Sequence, residues 1–286
     1  MSYTNGLDDP SAYFQVATYT GNAGNQTITN DGNSDLQPDV VWIKSRTFAS
    51  VHLLQDSTRG DNGTVYYYLQ PNNNLLESVQ SDGDGITSLN SDGFSLGYGN
   101  SNSWNQSGNT YVGWQWKANG GTTSSNTDGD ITSTVQADTT AGFSIMTYAG
   151  TTGDVHTIGH GLGVTPDVWI VKQRSNGGSF QDWFFWHKDM AASNVVDNRM
   201  LFLNKSDAVG TYTGINAVTS STIRVKSSTT AQNGYNYVAY AFAEKQGYSK
   251  FGKYIGNGST NGPFVYTGFK PALIITKNAD ATDSWN

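Results

Sequence analysis

The sequence predicts an all-β protein built from tandem β-sandwich units, and its composition and internal repetition support this. Of the 286 residues, 36% are hydrophobic and 14% charged. Both shares are below the usual globular values of about half and about a quarter. Glycine, with 33 copies, accepts the positive φ angles of hairpin turns. Aromatic residues reach 13%, a content that disordered chains lack.

A tyrosine–x–glycine turn followed by a proline-led strand occurs three times. The turns are YTG (19–21), YAG (148–150) and YIG (254–256), and the strands are LQPDVVWIKSR (36–46), LGVTPDVWIVKQR (162–174) and FKPALIITKN (269–278). Proline opens each apolar run, where it loses no ladder hydrogen bond. A closing run, YVGWQWKANG (111–120), corresponds to YVAYAFAEKQ (237–246). Its nearly continuous apolar residues predict a central strand buried on both faces.

Shorter apolar runs between these landmarks predict further strands, because Gly, Asn, Asp or Ser bounds each of them. They fall at 51–55, 64–70 and 93–99 in the first unit, and at 183–187, 199–204 and 222–228 in the second. Only NNLLESVQ (73–80) and KDMAASNVV (188–196) have a spacing that allows one short helix each.

The repeat divides the chain into four parts. We expect a first sandwich unit with an N-terminal leader at 1–120, a polar linker or edge strap at 121–142, a second unit at 143–246, and an incomplete third unit at 247–286. Within it, ordering the 36 residues 251–286 costs on the order of 50 kcal/mol, which two or three strands do not offset alone. We therefore expect a truncated piece of a longer protein, or a third part that packs on the second unit or on a neighbouring subunit.

Charge and hydropathy exclude several classes of partner. The net charge of -7 and the pI near 4.9 argue against nucleic acid, which needs clustered Lys and Arg. The longest apolar stretch is about YVAYAFA (237–243), too short for membrane insertion. MSYTNGLDDP (1–10) lacks the features of a secretory signal. Without cysteine the chain forms no disulfide and no thiolate site.

Catalytic patterns are weak, and we predict that the protein is not an enzyme. Glycoside hydrolysis usually needs two carboxylates held about 5–10 Å apart. Glu77 and Glu244, the only glutamates, occupy unrelated repeat positions, and most Asp residues fall in turn contexts. No Gly-x-Ser-x-Gly elbow occurs, and the four His have no clear base role.

No cofactor is predicted, although two kinds of metal site are considered. His156 and His160 are four residues apart and could share a face; the alternative is that His160 packs in a turn and donates to the backbone. Calcium is the more plausible ion, because carboxylate and amide oxygens suit a hard cation. The candidate ligands are Asp82, Asp84, Asp128 and Asp130, although Asp-Gly turns commonly bind no metal.

Aromatic side chains in polar loops are candidate ligand contacts. Trp104 lies in the polar stretch GNSNSWNQSGN (99–109), where a core does not require it, and Tyr98 and Asn102 are close in sequence. A flat indole suits the C–H face of a sugar, and Asn suits its hydroxyls. The strand tryptophans are most simply core or sheet-packing residues: Trp42, Trp114, Trp116 and Trp169.

Several long motifs resemble a repeat found in tandem in large virion proteins of marine bacteriophages. They include YTNGLDDPSAYF (3–14), SDGFSLG (91–97), YVGWQWKANGG (111–121), NTDGDITSTVQADTTAGFSI (126–145) and GYSKFGKYIGNGSTNGPFVYTGF (247–269). The resemblance covers essentially the whole chain and implies a virion component, with a concanavalin-like jelly-roll sandwich for each unit. One departure is that the third unit stops after TDSWN (282–286), short of a closing strand.

The resemblance implies a non-enzymatic structural protein on the exterior of a phage particle. We expect a tail-fibre or appendage component that presents loops to host-surface glycans, with other virion proteins as partners. Fibres are commonly trimers, so a homotrimer is favoured. The alternatives are a capsid or tail decoration protein without receptor contact and, less favoured, a glycan depolymerase.

Overall fold

The fold is all-β and of the sandwich type, as the sequence predicts. The computed structural model describes residues 7–60, 66–80, 83, 85–98, 104–175, 181–190, 199–211 and 218–286. This part of the chain contains 3-10 turns at Pro10–Ala12 and Lys188–Met190 but no α-helix. None of its helical segments is long and apolar enough to cross a membrane.

The first half of the chain forms three antiparallel sheets. Its strands are β1 (Phe14–Thr20), β2 (Gln26–Ile28), β3 (Val40–Ser45), β4 (Leu53–Asp56), β5 (Tyr66–Tyr68), β6 (Ser78–Gln80), β7 (Ile86–Leu89), β8 (Phe94–Leu96) and β9 (Thr110–Trp116). The largest sheet has the order β1-β9-β3-β4. A second sheet has the order β2-β8-β7, and β5 pairs with β6.

The second half forms a larger sheet and a separate strand pair. Its strands are β10 (Ser124–Asn126), β11 (Ser133–Asp138), β12 (Phe143–Ala149), β13 (Val155–Gly159), β14 (Val168–Gln173), β15 (Phe184–His187), β16 (Arg199–Phe202), β17 (Gly210–Thr211), β18 (Thr222–Lys226) and β19 (Asn236–Phe242). The large sheet has the order β10-β11-β12-β19-β14-β15-β16-β17, and β13 pairs with β18.

The two large sheets share a strand order around their closing strands. β9 lies between β1 and β3, and β19 lies between β12 and β14, so both closing strands are central, as predicted. Burial on both faces holds for β19, whereas every second residue of β9 is only half-buried. The division of the chain into sandwich repeat units remains a prediction.

Equivalent tyrosines join β1 to β9 in the first half and β12 to β19 in the second. Tyr19 stacks on Tyr111 with ring centroids 5.0 Å apart, and Tyr148 stacks on Tyr237 at 5.3 Å. The hydroxyl of Tyr19 donates to the Trp104 carbonyl oxygen at 2.7 Å, and that of Tyr148 donates to the carbonyl oxygen of Thr230 at 2.5 Å. Each tyrosine therefore anchors the loop that leads into the closing strand of its half.

The aspartate after each strand-opening proline binds the chain just beyond the closing strand. Asp39 accepts a hydrogen bond from the Ala118 N–H at 2.7 Å. Asp167 accepts from the Glu244 N–H at 2.5 Å. Such charge-assisted bonds are among the stronger ones in proteins. The Pro-Asp pairs at 38–39 and 166–167 thus fix where each closing strand ends.

Three hydrophobic cores separate four layers of sheet. One core lies between the β1-β9-β3-β4 sheet and the β2-β8-β7 sheet, and another lies between the large second sheet and β13-β18. The third core joins the two large sheets face to face, through Val40, Leu54, Trp116, Phe143, Val238 and Tyr240 among others. The halves are therefore joined by a shared apolar core as well as by the chain between them.

A buried network of charges crosses this shared interface. The Arg59 guanidinium contacts Asp56 at 2.6 Å and Glu77 at 2.8 Å. Glu77 also pairs with Arg174 of the second half at 3.0 Å, and the Tyr240 hydroxyl donates to Asp56 at 2.5 Å. Nearby opposite charges, Asp56 foremost, hold the pKa of Arg59 above its ordinary value against the opposing effect of burial.

The structure corrects three details of the sequence analysis. Residues 73–80 form no helix; their end, Ser78–Gln80, is strand β6. Within 188–196, Lys188–Met190 is a 3-10 turn and residues 191–196 lie outside the described part. Within 121–142, expected to be a linker or an edge strap, β10 and β11 are strands that extend the second sheet at its edge, so this expectation needs no correction. Residues 269–278, expected to be a strand, form none.

Lys172 is a fully buried ammonium group at the contact between the halves. Its Nζ donates to the carbonyl oxygens of Gln181 at 2.6 Å and Asn74 at 3.2 Å. It lies 6.0 Å from the ring centroid of Trp183. Burial lowers the pKa of Lys172 from 10.5 to about 7, and the charge of Asp182 opposes this shift only in part.

Stability is expected to rise with pH through the range set by Lys172. Below pH 7 both the folded and unfolded states hold the proton, and the folded state bears the cost of a buried charge. Between a folded pKa of about 7 and an unfolded value of 10.5, the unfolded state binds more protons. The free energy of unfolding then rises by about 1 kcal/mol per pH unit.

Denaturant titrations of the wild-type chain and of Lys172→Met between pH 7 and 9.5 measure this effect. Methionine does not titrate, so the difference between the two proteins should change steadily with pH. Parallel stability profiles for the two proteins would contradict the assignment to Lys172.

Candidate functional site

Trp104 is a core residue, so the expectation that it is exposed is wrong. It is 4% exposed, and its Nε1–H donates to the Val51 carbonyl oxygen at 3.1 Å. Its ring meets that of Tyr68 edge to face at 5.2 Å. Next to it, the fully buried Asn105 donates to the carbonyl oxygens of Gly24 and Gly97. Trp104 therefore belongs to the hydrophobic core of the first half.

Tyr98 does lie at the surface. It is 54% exposed and lines a broad open groove of about 740 Å³ on the β2-β8-β7 sheet. Polar side chains of that sheet, among them Thr27, Ser88 and Ser95, line the same groove. Asn102, the third candidate ligand residue, lies outside the described residues. Of the predicted surface residues, Tyr98 is therefore exposed beside hydroxyl groups and Trp104 is buried.

The proposed calcium ligands do not form a cluster in the part of the chain that the structure describes. Asp128 accepts from the Asn126 amide at 3.2 Å, and the Asp130 N–H donates to the Thr157 hydroxyl at 3.0 Å. No group of three or more potential metal ligands occurs among the described residues. Asp82 and Asp84 lie outside them. Asp128 and Asp130 therefore behave as turn residues.

His160 uses both ring nitrogens within the protein. Its Nδ1 accepts from the Leu162 N–H at 3.2 Å, which leaves the proton on Nε2, 3.2 Å from the Thr219 carbonyl oxygen. Burial lowers the pKa of His160. A metal ion shared with His156 would have to displace one of these contacts. The structure thus supports the alternative, a histidine packed in a turn that donates to the backbone.

A more enclosed cleft of about 360 Å³ lies at one edge of the shared interface. The β3 and β9 strands contribute Trp42 and Trp114, whose rings meet edge to face at 5.6 Å. The other lining residues are His52, Pro71, Asn72, Leu203, Asn204, Lys205, Ser206, Leu273, Ile274, Ile275, Ser284, Trp285 and Asn286. Three parts of the chain, distant in sequence, therefore build one mainly apolar cavity.

The two tryptophans reach the cleft because of strand alternation. Residues of β9 alternate between buried and half-buried, and the half-buried set includes Trp114. Trp42 is its direct cross-strand partner, so both indoles project from the same face of the sheet. Elsewhere this face is covered by the second half of the chain. At the cleft the second half does not cover the sheet face completely, so the indoles of Trp42 and Trp114 remain accessible.

His52 is held as a neutral donor in the cleft wall. The Trp42 Nε1–H donates to His52 Nδ1 at 3.1 Å, so the neutral ring carries its proton on Nε2. Burial, with a smaller contribution from the charge of Lys44, lowers the pKa of His52 to about 4. The ring is therefore uncharged at neutral pH and offers an N–H to a hydroxyl or carbonyl group.

The cleft contains few charges. Lys205 pairs with Asp182 at 2.7 Å, and its Nζ lies 4.6 Å from the ring centroid of Phe202. None of the residues that line the cleft carries a side-chain carboxylate. Trp285 is fixed by its Nε1–H, which donates to the Phe202 carbonyl oxygen at 2.9 Å, and by an edge contact with Phe185 at 4.8 Å.

Sequence reasoning missed this cleft because it assigned Trp42 and Trp114 to the core. The available signal was their register: both occupy outward positions of adjacent strands, opposite fully buried Ile43 and Tyr111. That signal shows which residues share a face. It does not show whether another part of the chain covers that face.

The fold is all-β and of the sandwich type, and it contains a partly open cleft lined by aromatic residues. A family model described as "Domain of unknown function (DUF7483)" matches residues 9–286. The chain therefore belongs to this family, which spans nearly its whole length. No curated protein and no solved structure matches the chain.

Proposed function

We propose that the protein is a non-enzymatic structural component of a bacteriophage particle, namely a tail-fibre or appendage protein on the virion exterior that binds host-surface glycans. The observation that carries the glycan-binding part is the cleft formed by Trp42, Trp114 and Trp285. The assignment to a virion rests on the sequence motifs that resemble phage repeat proteins. The acidic net charge of -7 is consistent with partners other than nucleic acid.

The chemistry of the cleft suits a sugar. Ligand pockets typically measure about 300–1,000 Å³, combine apolar walls with a few polar groups, and are largely preformed. The indole faces of Trp42 and Trp114 can pack on the C–H face of a sugar ring. The Nε2–H of His52 and the amide of Asn72 supply groups that bind hydroxyls.

Binding is favoured over cleavage of the glycan. Glycosidases usually place two carboxylates on either side of the bond that breaks. The residues lining the cleft include no Asp or Glu, and Asp182 at its margin pairs with Lys205. A depolymerase is therefore the weakest of the functions considered. Incubation of host polysaccharide with the protein should release no reducing ends.

Replacing Trp114 with leucine is expected to weaken glycan binding at least about tenfold, or about 1.4 kcal/mol. The change removes an indole face while keeping an apolar side chain on the strand. Glycan arrays followed by calorimetry on the best ligand measure the effect, with thermal unfolding to check that the fold persists.

Tyr98→Ala is the matched control for Trp114→Leu, because Tyr98 lines the other groove, on a different sheet. Loss of binding in Tyr98→Ala with none in Trp114→Leu would move the site to that groove. The attachment role fails if the wild-type chain binds no host-surface glycan.

A capsid or tail decoration protein without receptor contact is the alternative function. It shares the same sandwich scaffold and the same virion partners but needs no ligand in the cleft. Labelling the protein on intact particles distinguishes the two roles, because an attachment protein must lie at the tip or side of an appendage. We further propose a homotrimer, as is common in fibres; light scattering of the purified chain tests this directly.

A further inference from the structure

Two polar side chains beside the indoles of the cleft can only donate hydrogen bonds to a ligand. His52 and Asn72 line the cleft, and an imidazole and an amide each carry both a donor and an acceptor. In the structure, the acceptor atom of each is already bonded within the protein. We call their remaining N–H groups, His52 Nε2–H and Asn72 Nδ2–H, the donor edge of the cleft.

A short relay of hydrogen bonds uses up the two acceptors. The Trp42 Nε1–H donates to His52 Nδ1 at 3.1 Å, and the His52 backbone N–H donates to Asn72 Oδ1 at 2.8 Å. The first bond places the proton of the neutral imidazole on Nε2. The second leaves the Nδ2 hydrogens as the free polar atoms of the Asn72 amide. The protein itself therefore fixes the polarity of the donor edge.

The amide of Asn204, another lining residue, is engaged at both ends. Its Oδ1 accepts from the Trp183 N–H at 2.8 Å, and its Nδ2 donates to Asp182 at 2.8 Å. Asp182 also pairs with Lys205, so this carboxylate at the margin of the cleft is neutralised. Asn204 thus needs no ligand to complete its hydrogen bonds, in contrast to the donor edge.

A positive charge lies close to the donor edge. Lys44 follows Trp42 by two residues on β3, so the two side chains share the half-buried face of the sheet. Its Nζ donates to the Ser45 carbonyl oxygen at 2.9 Å, and it forms no ion pair within the described part of the chain. Its charge is near enough to His52 to add to the effect of burial, which is the larger cause of the lowered pKa of that ring. A cation thus accompanies the donors, although the whole chain carries a net charge of -7.

We propose that the cleft binds an acidic sugar, namely a uronic acid whose carboxylate accepts hydrogen bonds from His52 Nε2–H and Asn72 Nδ2–H. The C–H face of its ring packs on the indoles of Trp42 and Trp114. This inference rests on the proposed glycan-binding function and names the class of glycan.

The carboxylate suits the donor edge better than a neutral group does. An ionised carboxylate only accepts hydrogen bonds, and its bonds to N–H groups are charge-assisted and therefore strong. A sugar hydroxyl in the same place brings a donor that finds no acceptor on this edge, and an unmade hydrogen bond costs affinity. The charge of Lys44 adds a longer-range attraction that salt screens.

Methyl glycosides of glucuronic, galacturonic and mannuronic acid are the probes. Each is compared with its neutral parent sugar and with its uncharged methyl ester. NMR titration of the 286-residue chain, followed through the indole N–H signals of Trp42 and Trp114, measures affinity and shows that the cleft is occupied. At least one uronide is expected to bind about tenfold more tightly than its parent and its ester, equal to about 1.4 kcal/mol. This preference should shrink as salt is added.

Asn72→Asp tests the donor edge directly. The substitution keeps the oxygen that accepts from the His52 N–H and replaces the donor with a second carboxylate oxygen. The preference for the uronide over its parent should be lost, because two carboxylates then face each other. Lys44→Met is a second variant, which should reduce the preference at least about threefold by removing the cation. Thermal unfolding checks that both variants fold.

Asn22→Asp is the matched control for Asn72→Asp. It adds the same charge at a turn outside the cleft, and its Oδ1 likewise accepts a backbone N–H, from Gly24 at 2.8 Å. Its preference for the uronide should equal that of the wild-type chain. Equal losses in Asn22→Asp and Asn72→Asp would overturn the proposal, because the preference would then follow the overall charge.

The outcomes separate this inference from the proposed function. A parent sugar that binds in the cleft as tightly as its uronide overturns the acidic-sugar proposal and leaves glycan binding intact. Tight binding of the 6-sulfated parent sugars, with none of the uronides, also overturns it, because the donor edge would then receive a sulfate ester. Short oligomers of the same sugars remove any limit set by the affinity of a single ring. If these oligomers leave the indole signals unchanged and host glycans do not bind either, both the inference and the proposed function fail.

Discussion

Replacing Arg59 with methionine is expected to lower the free energy of unfolding by about 3–5 kcal/mol, because a buried carboxylate loses its partner. The side chains of Arg59 and Asp56 are both fully buried, and Arg59 also bonds Glu77 and the Leu54 carbonyl oxygen. Without the guanidinium, Asp56 keeps the Tyr240 hydroxyl and the Arg59 N–H as its donors among the residues that the structure describes. Equilibrium unfolding in urea at neutral pH measures the loss.

Arg174→Met is the matched control for Arg59→Met. Arg174 is partly exposed and, within the described part of the chain, pairs with Glu77, which keeps Arg59 as its other partner. Its removal should cost about 1 kcal/mol or less, as for pairs near the surface. Equal losses in the two variants would mean that the network is not the buried anchor described. The charge network joins the two halves of the chain. Its loss in Arg59→Met should therefore also reduce the cooperativity of unfolding.

Gly150→Ala is expected to destabilise the fold by about 3 kcal/mol, the upper part of the usual range for an overpacked site. The new methyl group would lie 2.0 Å from the Gln232 carbonyl oxygen, a backbone atom that cannot rotate away. The Gly150 N–H also donates to the Tyr235 carbonyl oxygen at 2.8 Å, so the turn is bound on that side. The midpoint of thermal or urea unfolding measures the effect.

Gly256→Ala is the corresponding control, at the equivalent turn of the third copy. With no atom within 4 Å of its Cβ, it should change stability by less than about 0.5 kcal/mol. Gly21→Ala should behave like Gly150→Ala, because its Cβ would approach the Gln106 carbonyl oxygen to 2.2 Å. If all three variants have the same stability, the close approach of loop and turn is not the reason for the glycine.

The packing of the two halves bears on the proposed role as a particle component. A chain of modules joined only by linkers would extend by one unit length per repeat. Here Trp116 and Phe242, which occupy equivalent positions, meet edge to face at 6.5 Å. Contact between equivalent residues is typical of a two-fold interface. The two halves therefore pack face to face over a shared core, with the cleft at the edge of their interface.

The repeat itself was readable from the chain because its landmarks are local. Pro38 and Pro166 precede strands as expected, and the closing runs become β9 and β19. Turn glycines, proline-led strands and apolar runs report backbone conformation within a few residues. The central position of the closing strands followed from the same local signals, because their apolar runs suit the interior of a sheet.

The candidate site was less predictable, because exposure depends on contacts between distant residues. Trp104 lies in a polar loop, yet its carbonyl group binds Tyr19, 85 positions away, and its ring completes a core. Conversely, Trp42 and Trp114 lie in strands with the composition of a core and nevertheless reach the cleft. No local pattern distinguishes a covered sheet face from one left partly open.

Residues 269–278 show that strand formation, like exposure, depends on contacts with distant residues. Their β-branched run has the propensity and the proline of a strand, but propensity supplies no hydrogen-bond partner. The sequence by itself determined an all-β chain, its turns, the order of its strands and the repetition of their landmarks, since these depend on local conformation and alternation. Only the tertiary structure decided which tryptophans are accessible, how the halves share a core, and that Tyr254 of the third tyrosine–x–glycine turn is exposed. Those outcomes depend on which distant surfaces meet.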